Sequence, residues 1–190
     1  MLALADARAA MFAGLPRRLR KTTGRLRRDL GLNPARMRLL RHPTVVWMLH
    51  AGTVWFWHAK GPYDLTLENE WVHQLEHLSF LVTAVLFWRV LVAPRLPIWP
   101  SLGYRVLLVF TMAVQGVLLA ALITFAESPW YSGYSETTGV WDLTPLADQQ
   151  LAGVIMWIPS GPIYTIAGLV LLVTWIRQST TTGRDAIRRA

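Results

Sequence analysis

His58-Ala-Lys-Gly-Pro-Tyr-Asp-Leu-Thr-Leu-Glu-Asn-Glu-Trp-Val-His73-Gln-Leu-Glu76-His77 is a short polar connection between two long apolar runs, and its edges carry three of the chain's histidines. A link this short makes the flanking runs antiparallel neighbours. Ionisable groups at the rim of a membrane span are costly to keep there, which makes these histidines functional candidates. The stretch therefore reads as the turn of a helical hairpin in a bilayer, with chemistry at its mouth.

Composition supports that reading. The chain has 190 residues, 53% of them apolar, with 10 Trp, 11 Pro and no Cys. Four apolar runs approach the roughly 20 residues a helix needs to cross a bilayer. The absence of Cys excludes disulfides, thiolate zinc sites and thiol nucleophiles, so a metal would have to use His, Met, carboxylate or backbone. The net charge of +8 is uneven: residues 1–41 hold 11 basic and 2 acidic side chains, residues 42–176 hold 4 and 8, and residues 177–190 hold 4 and 1. A uniformly basic surface would suggest nucleic acid. Basic ends around an acidic, apolar middle instead indicate a polytopic membrane protein with both termini in the cytoplasm and no nucleic-acid partner.

Taken in order, residues 1–41 form a basic cytoplasmic or interfacial segment, with Arg17-Arg18-Leu-Arg20-Lys21 and Arg25-Leu-Arg27-Arg28 suited to anionic headgroups. No apolar core of signal-peptide length follows the first charges, although an Arg-rich, acid-poor start also resembles a transit peptide. Residues 42–177 read as a four-span all-α bundle. The spans are Pro43–His58, short for a crossing, then Trp71–Val92, Leu102–Phe125 and Leu151–Ile176, and residues 178–190 form a basic cytoplasmic tail. Gly116 and Ala120 make a small-xxx-small pair that would let a neighbouring helix approach. Pro159, Gly161 and Pro162 interrupt the fourth span, where a kink would free carbonyls. Arg41, Arg89, Arg95, Arg105 and Arg177 fall on one side, with Lys60 the exception, so the His58–His77 connection and an acidic loop at 126–150 share the outer face.

His73 and His77 are four residues apart and stack on one helix face, a common spacing for two imidazoles on one metal. Glu76 can orient a ring through its free N–H. His58 ends the first span, and His50 lies two turns deeper. The alternative is that these histidines are interfacial hydrogen-bonding groups. His73-Gln-Leu-Glu76-His77 also fits the inverted zinc-protease pattern, which needs a third ligand and an open position for water. Thr144 reads as an N-cap with Pro145 as the first helical residue, and Asp148 then faces the positive end of the helix dipole. Asp148, Ala152 and Met156 share a face, while Met48 and Met112 lie on other spans. Imidazole and thioether without thiolate suit copper(I) better than magnesium or calcium, although methionines in membrane helices are more often plain packing.

Several of these stretches are familiar together. Trp57-His58 followed by Tyr63-Asp64, the run from Trp71 through His73, Glu76 and His77 to Phe80, the closing Phe87-Trp88, Leu122-Ile-Thr124-Phe125, and Asp148-Gln149-Gln150 through Gly153 and Met156-Trp157 to Pro159 and Gly161 resemble the CtaG-type cytochrome c oxidase assembly factors, over about residues 36–178. The resemblance implies a non-enzymatic multi-pass protein of the bacterial inner membrane that acts on cytochrome c oxidase subunits and supplies copper to the oxidase. It points at His58, His73, Glu76, His77, Asp148, Gln149 and Met156. Family members usually carry further N-terminal spans, one of them His-rich, and this chain starts in what would be a cytoplasmic connection. That start fits a shortened gene model, a fragment, or a minimal member that borrows ligands from a partner. The expected function is therefore oxidase assembly with copper held at the outer face. The rival readings are a copper transporter lined by the fourth span, a b-type cytochrome with His50 or His58 opposite His77, and a metal-free structural assembly partner.

Overall fold

In a computed structural model, the chain divides into two compact units, Met1–Arg41 and His42–Ala190. The structure describes Leu39 and residues 42–92, 101–134 and 138–189, the last nine of these by their backbone alone. The expectations for residues 1–38, for the Pro94–Pro100 turn and for Glu136 fall outside the described residues. Among the described residues the second unit is all-helical: α1 (Pro43–Trp57), α2 (Lys60–Glu68), α3 (Glu70–Val92), α4 (Leu102–Thr124), a 3-10 turn (Thr138–Trp141) and α5 (Pro145–Arg189).

Local chemistry sets the ends of these helices. Pro43 opens α1, where its missing N–H would be unpaired anyway. Asn69 is extended (φ −136°, ψ 113°) and ends α2. Its Oδ1 then accepts from the amides of Trp71 (2.9 Å) and Val72 (3.4 Å), so one side chain stops α2 and caps α3. Ser101 caps α4 through the amide of Tyr104, and Thr144 caps α5 through the amide of Ala147 at 3.1 Å. At the far end of α3, the Arg105 guanidinium donates to the carbonyl of Leu91 (3.1 Å), satisfying one of the acceptors a helix C-terminus leaves open.

The sequence treats residues 59–70 as connection, yet nine of them form α2. Pro62 sits in its first turn, where it costs no hydrogen bond, and Thr66 packs inward. α5 runs unbroken to Arg189 through Pro159 and Pro162, past the expected end at Ile176. Around the prolines, the Ser160 hydroxyl donates to the carbonyls of Met156 (2.9 Å) and Trp157 (3.1 Å), and Thr165 donates to Gly161 (2.8 Å).

Packing is tight at one level and open elsewhere. Phe87, Met112, Val46 and Val109 are fully buried, with Trp88 and Tyr164 stacked at 5.7 Å beside them. α3, α4 and the Pro145–Thr180 part of α5 are long and apolar enough to span a bilayer, yet only 28%, 33% and 0% of their most apolar windows are buried. Apolar surface this extensive marks a face meant for lipid or another protein. The 15 residues of α1 rise about 22 Å, short of the roughly 30 Å hydrocarbon core. The 36 residues of the Pro145–Thr180 part of α5 rise about 54 Å, more than that layer needs, so this helix projects beyond it.

α4 and α5 pack along each other, and at Gly153 they leave no room for a side chain. A Cβ there would collide with the Thr124 hydroxyl and stand 2.9 Å from the Ala120 carbonyl. Ala120 thus serves the close approach the sequence suggests, while Gly116 has open space around it. Gly153→Ala is expected to push the helices apart and destabilise the unit by about 1–3 kcal/mol, seen as a lower melting temperature in detergent. Unchanged melting would show that the helices do not meet there.

Candidate metal centre and its tyrosine cap

Because α3 begins at Asn69, residues 73, 76 and 77 fall in its first two turns, on the end of the bundle that α2 covers. The ligand atoms of His73, Glu76 and His77 lie within 4.8 Å of one another. The two Nε2 atoms are 2.9 Å apart, with ring centroids at 4.6 Å. One ring donates the single proton shared between these nitrogens, so the other carries its hydrogen on Nδ1. A cation held by both Nε2 atoms would displace this hydrogen bond, with the donor ring's hydrogen moving to its Nδ1 so that both neutral rings present a lone pair. Glu70 Oε2 stands 3.9 Å from His73 Nδ1, within charge reach of the ring nitrogen facing away from the pair. Sequence spacing assigns ring orientation to Glu76. In the structure Glu76 joins the ligand cluster, and Glu70, which the sequence reading passes over, is the carboxylate behind the ring. Its i,i+3 spacing to His73 is the signal that could have found it.

His58 is not a member of that cluster. Its Nδ1 lies 2.7 Å from the Val54 carbonyl, and its ring sits against Phe80 at 6.2 Å, one turn along α3 from His77. A carbonyl can only accept, so Nδ1 carries the hydrogen and Nε2 keeps its lone pair, the form in which imidazole binds metals.

Asp148 and Gln149 line a different space. Tyr63, Tyr131, Tyr134 and the first turns of α5 enclose a cavity of about 250 Å³. Its walls are α2 and the chain after α4. Tyr63 and Tyr131 stack at 3.9 Å, and the hydroxyls of Tyr63 and Tyr134 are 3.1 Å apart. Asp64 Oδ2 accepts from the Ser132 hydroxyl at 2.9 Å, and Tyr131 donates to the His58 carbonyl at 2.9 Å. Both ends of the Gln149 amide are in use: Oε1 accepts from the Trp130 amide at 2.6 Å, and Nε2 donates to the Ile123 carbonyl at 3.5 Å. Gln150 donates to the Ala126 carbonyl at 3.1 Å. These contacts give Tyr63, Asp64, Gln149 and Gln150 a shared structural task, which is to clamp the cap.

The cap and the cluster feel each other electrostatically. Burial pushes the Tyr63 phenol up first, then its bond to Tyr134, with the neighbouring phenols and the Glu76 carboxylate adding to the effect. Tyr131 is pushed up to about 12, by burial first and then by Asp64 and Tyr134.

Met156 lines a third space, inside the bundle, with His50, Met112, Gln115 and Tyr164. The sequence-derived set is therefore distributed over four places: the cluster on α3 (His73, Glu76, His77), His58 beside Phe80, the capped cavity (Asp148, Gln149) and the inner cavity (Met156). The inner one, at about 170 Å³, lies below the range of about 300–1,000 Å³ typical of pockets for organic cofactors, which argues against haem beside His50.

An all-helical membrane protein with a partly exposed histidine–carboxylate cluster on α3 and a separate tyrosine-capped cavity is the class these observations define. The chain belongs to the cytochrome c oxidase caa3 assembly factor (Caa3_CtaG) family, whose model matches residues 1–178, beyond the span of the quoted motifs. The chain is also similar to uncharacterised proteins of Mycobacterium leprae (strain TN), 24% identical over 144 residues, and of Mycobacterium bovis and Mycobacterium tuberculosis, each 27% identical over 146 residues. Each match covers 73% of this chain and 21% of the relative, so the chain spans about a fifth of the length of these relatives. No solved structure matches.

A raised phenol pKa stabilises the fold fully below the unfolded tyrosine value near 10, and that contribution is lost as pH rises through the folded value. The cap is thus expected to loosen between about pH 10 and about pH 12, where Tyr131 ionises. Absorbance titration of tyrosinate should show a late step that Tyr131→Phe removes. Ionisation of all tyrosines near pH 10 would contradict the packing described.

Proposed function

We propose that this protein takes part in cytochrome c oxidase assembly by holding copper at the outer face of the bacterial plasma membrane and passing it to an oxidase subunit. In this reading α1 is a fourth, short crossing in a thinned region of bilayer, and both termini are cytoplasmic. That orientation follows the distribution of arginines and puts the His73–His77 cluster and the tyrosine cap outside.

The observation that carries the proposal is the 2.9 Å approach of two imidazole Nε2 atoms with the Glu76 carboxylate beside them. Two neutral imidazoles supply a pair of ligands suited to copper(I), and one nearby carboxylate adds a weaker donor that can be exchanged. Two firm ligands with exposed rims favour release, which a donor needs more than tight retention. His58, at the end of α1 and beside Phe80 one turn along α3 from His77, keeps a lone pair on Nε2 and is the next ligand offered to a departing ion. Gln149 contributes by holding the cap shut, and Asp148 puts a carboxylate on the wall of the capped cavity.

Family membership supports the assembly role, and the donor chemistry supports copper as the cargo. Copper(I) titration under reducing conditions should show binding at the cluster that His73→Ala/His77→Ala abolishes, with Glu76→Gln weakening it by about three- to tenfold. The same double substitution should reduce the amount of assembled oxidase in cells while leaving this protein's level in the membrane unchanged. Full copper binding and normal oxidase in the double variant would refute the proposal.

A further inference from the structure

His50 lies within the helix bundle, on α1 facing α3, and is only 8% exposed. Its Nδ1 is 3.0 Å from the Thr83 hydroxyl. That hydroxyl has one hydrogen, which it donates to the Ser79 carbonyl at 2.8 Å, shared with Phe80 at 3.3 Å. Thr83 must therefore accept from His50, so the hydrogen sits on Nδ1 and Nε2 is a bare lone pair. Among the described residues Nε2 has no partner. Thr83 is not on the cavity wall but His50 is, so Nε2 is the ring nitrogen left to face the 170 Å³ space.

Two thioethers line the same space, Met112 from α4 and Met156 from α5. Met112 is 1% exposed, and its sulfur accepts from Gln115 Nε2 at 3.0 Å. Gln115 is held in turn by Trp55, whose indole N–H donates to its Oε1 at 2.6 Å. This chain fixes the Met112 sulfur and uses one of its two lone pairs. Gly116 and Gly161 line the wall without side chains, and neither has a neighbour within 4 Å of where a Cβ would be. The volume has room for an ion and a few waters at about 30 Å³ each.

We propose that His50 Nε2, Met112 Sδ and Met156 Sδ form a second metal site, buried in the bundle, for a soft monovalent cation of the copper(I) or silver(I) type. All three donors are neutral, and no carboxylate lines the cavity. A hard divalent ion would enter with its charge uncompensated and would find no anionic oxygen, whereas soft d10 cations prefer imidazole and thioether. Desolvation grows with the square of the charge, which further favours a monovalent ion in this apolar setting. The site does not rest on the cluster at the capped end, since the two share no ligand.

The test uses the full chain in nanodiscs, in the His73→Ala/His77→Ala background that removes the outer cluster. Silver(I), and copper(I) under reducing conditions, are titrated against a competing chelator, with magnesium and zinc as controls. One equivalent of the soft cation should remain, with sulfur scatterers in its X-ray absorption spectrum, and neither control ion should bind. Met112→Leu/Met156→Leu, which keeps core volume, should remove the sulfur signal and weaken binding at least tenfold without lowering the melting temperature appreciably. His50→Leu should weaken it similarly. No soft-cation binding in the outer-cluster variant would overturn the proposal, as would unchanged affinity and spectrum in the double methionine variant. If the outer cluster binds nothing while this site keeps its equivalent, the proposed handover at the outer face fails and this inference stands.

Discussion

A polar group carried into a hydrocarbon layer has no water to bond, so it must find a partner on a neighbouring helix or on its own backbone. That constraint organises this bundle. His50 bonds Thr83, Trp57 donates to Ser79 at 2.7 Å, Trp55 donates to Gln115, and Thr44 meets Tyr104 at 2.7 Å. The first two of these pairs set the register of α1 against α3. The others tie α1 to α4. Trp47 Nε1 is buried without a partner, and nothing in the structure accounts for it.

The same constraint decides the chemistry of the histidines. At His50 and His58 the local acceptor takes the Nδ1 hydrogen and leaves Nε2 bare. At His73 and His77 the two Nε2 atoms face each other and share one proton. His50 and His58 are thereby left with a bare Nε2 and can bind a cation without giving up the hydrogen bond at Nδ1, whereas the His73–His77 pair must open its shared hydrogen bond to do so. Outside the bundle the polar groups pair as well: Tyr63, Tyr131 and Gln149 fasten α2 and the chain after α4 to each other and to the first turns of α5.

Much of the fold is legible in the sequence, because long apolar runs, Pro and polar caps are local signals. The start of α3, the Thr144 cap and the spacing of His73 and His77 all follow from neighbouring residues. α2 is less legible: its nine residues have no apolar stripe, and it is a helix because the tyrosine stack and Asp64 anchor it to chain some 70 residues away. The inner cavity is less legible still. Met112 and Met156 are visible as soft ligands, and His50 as a deep histidine. Their meeting depends on how α1, α4 and α5 pack, and the bare nitrogen depends on Thr83, which has no special local signature. The assembly role proposed for the chain rests on family membership, a level of function that the ligand geometry alone does not reach.

The claim beneath all of this is that the fold leaves Nε2 of His50 and His58 unprotonated and available. Nitrogen NMR of 15N-histidine-labelled protein in nanodiscs, with His50→Gln and His58→Gln for assignment, reads the tautomer directly. At a pH where both rings are neutral, the expected result is a protonated Nδ1 and a bare Nε2 at each. Protonated Nε2 at either ring would mean that the partners assigned here do not hold them, and the account of the metal-ready histidines would fail.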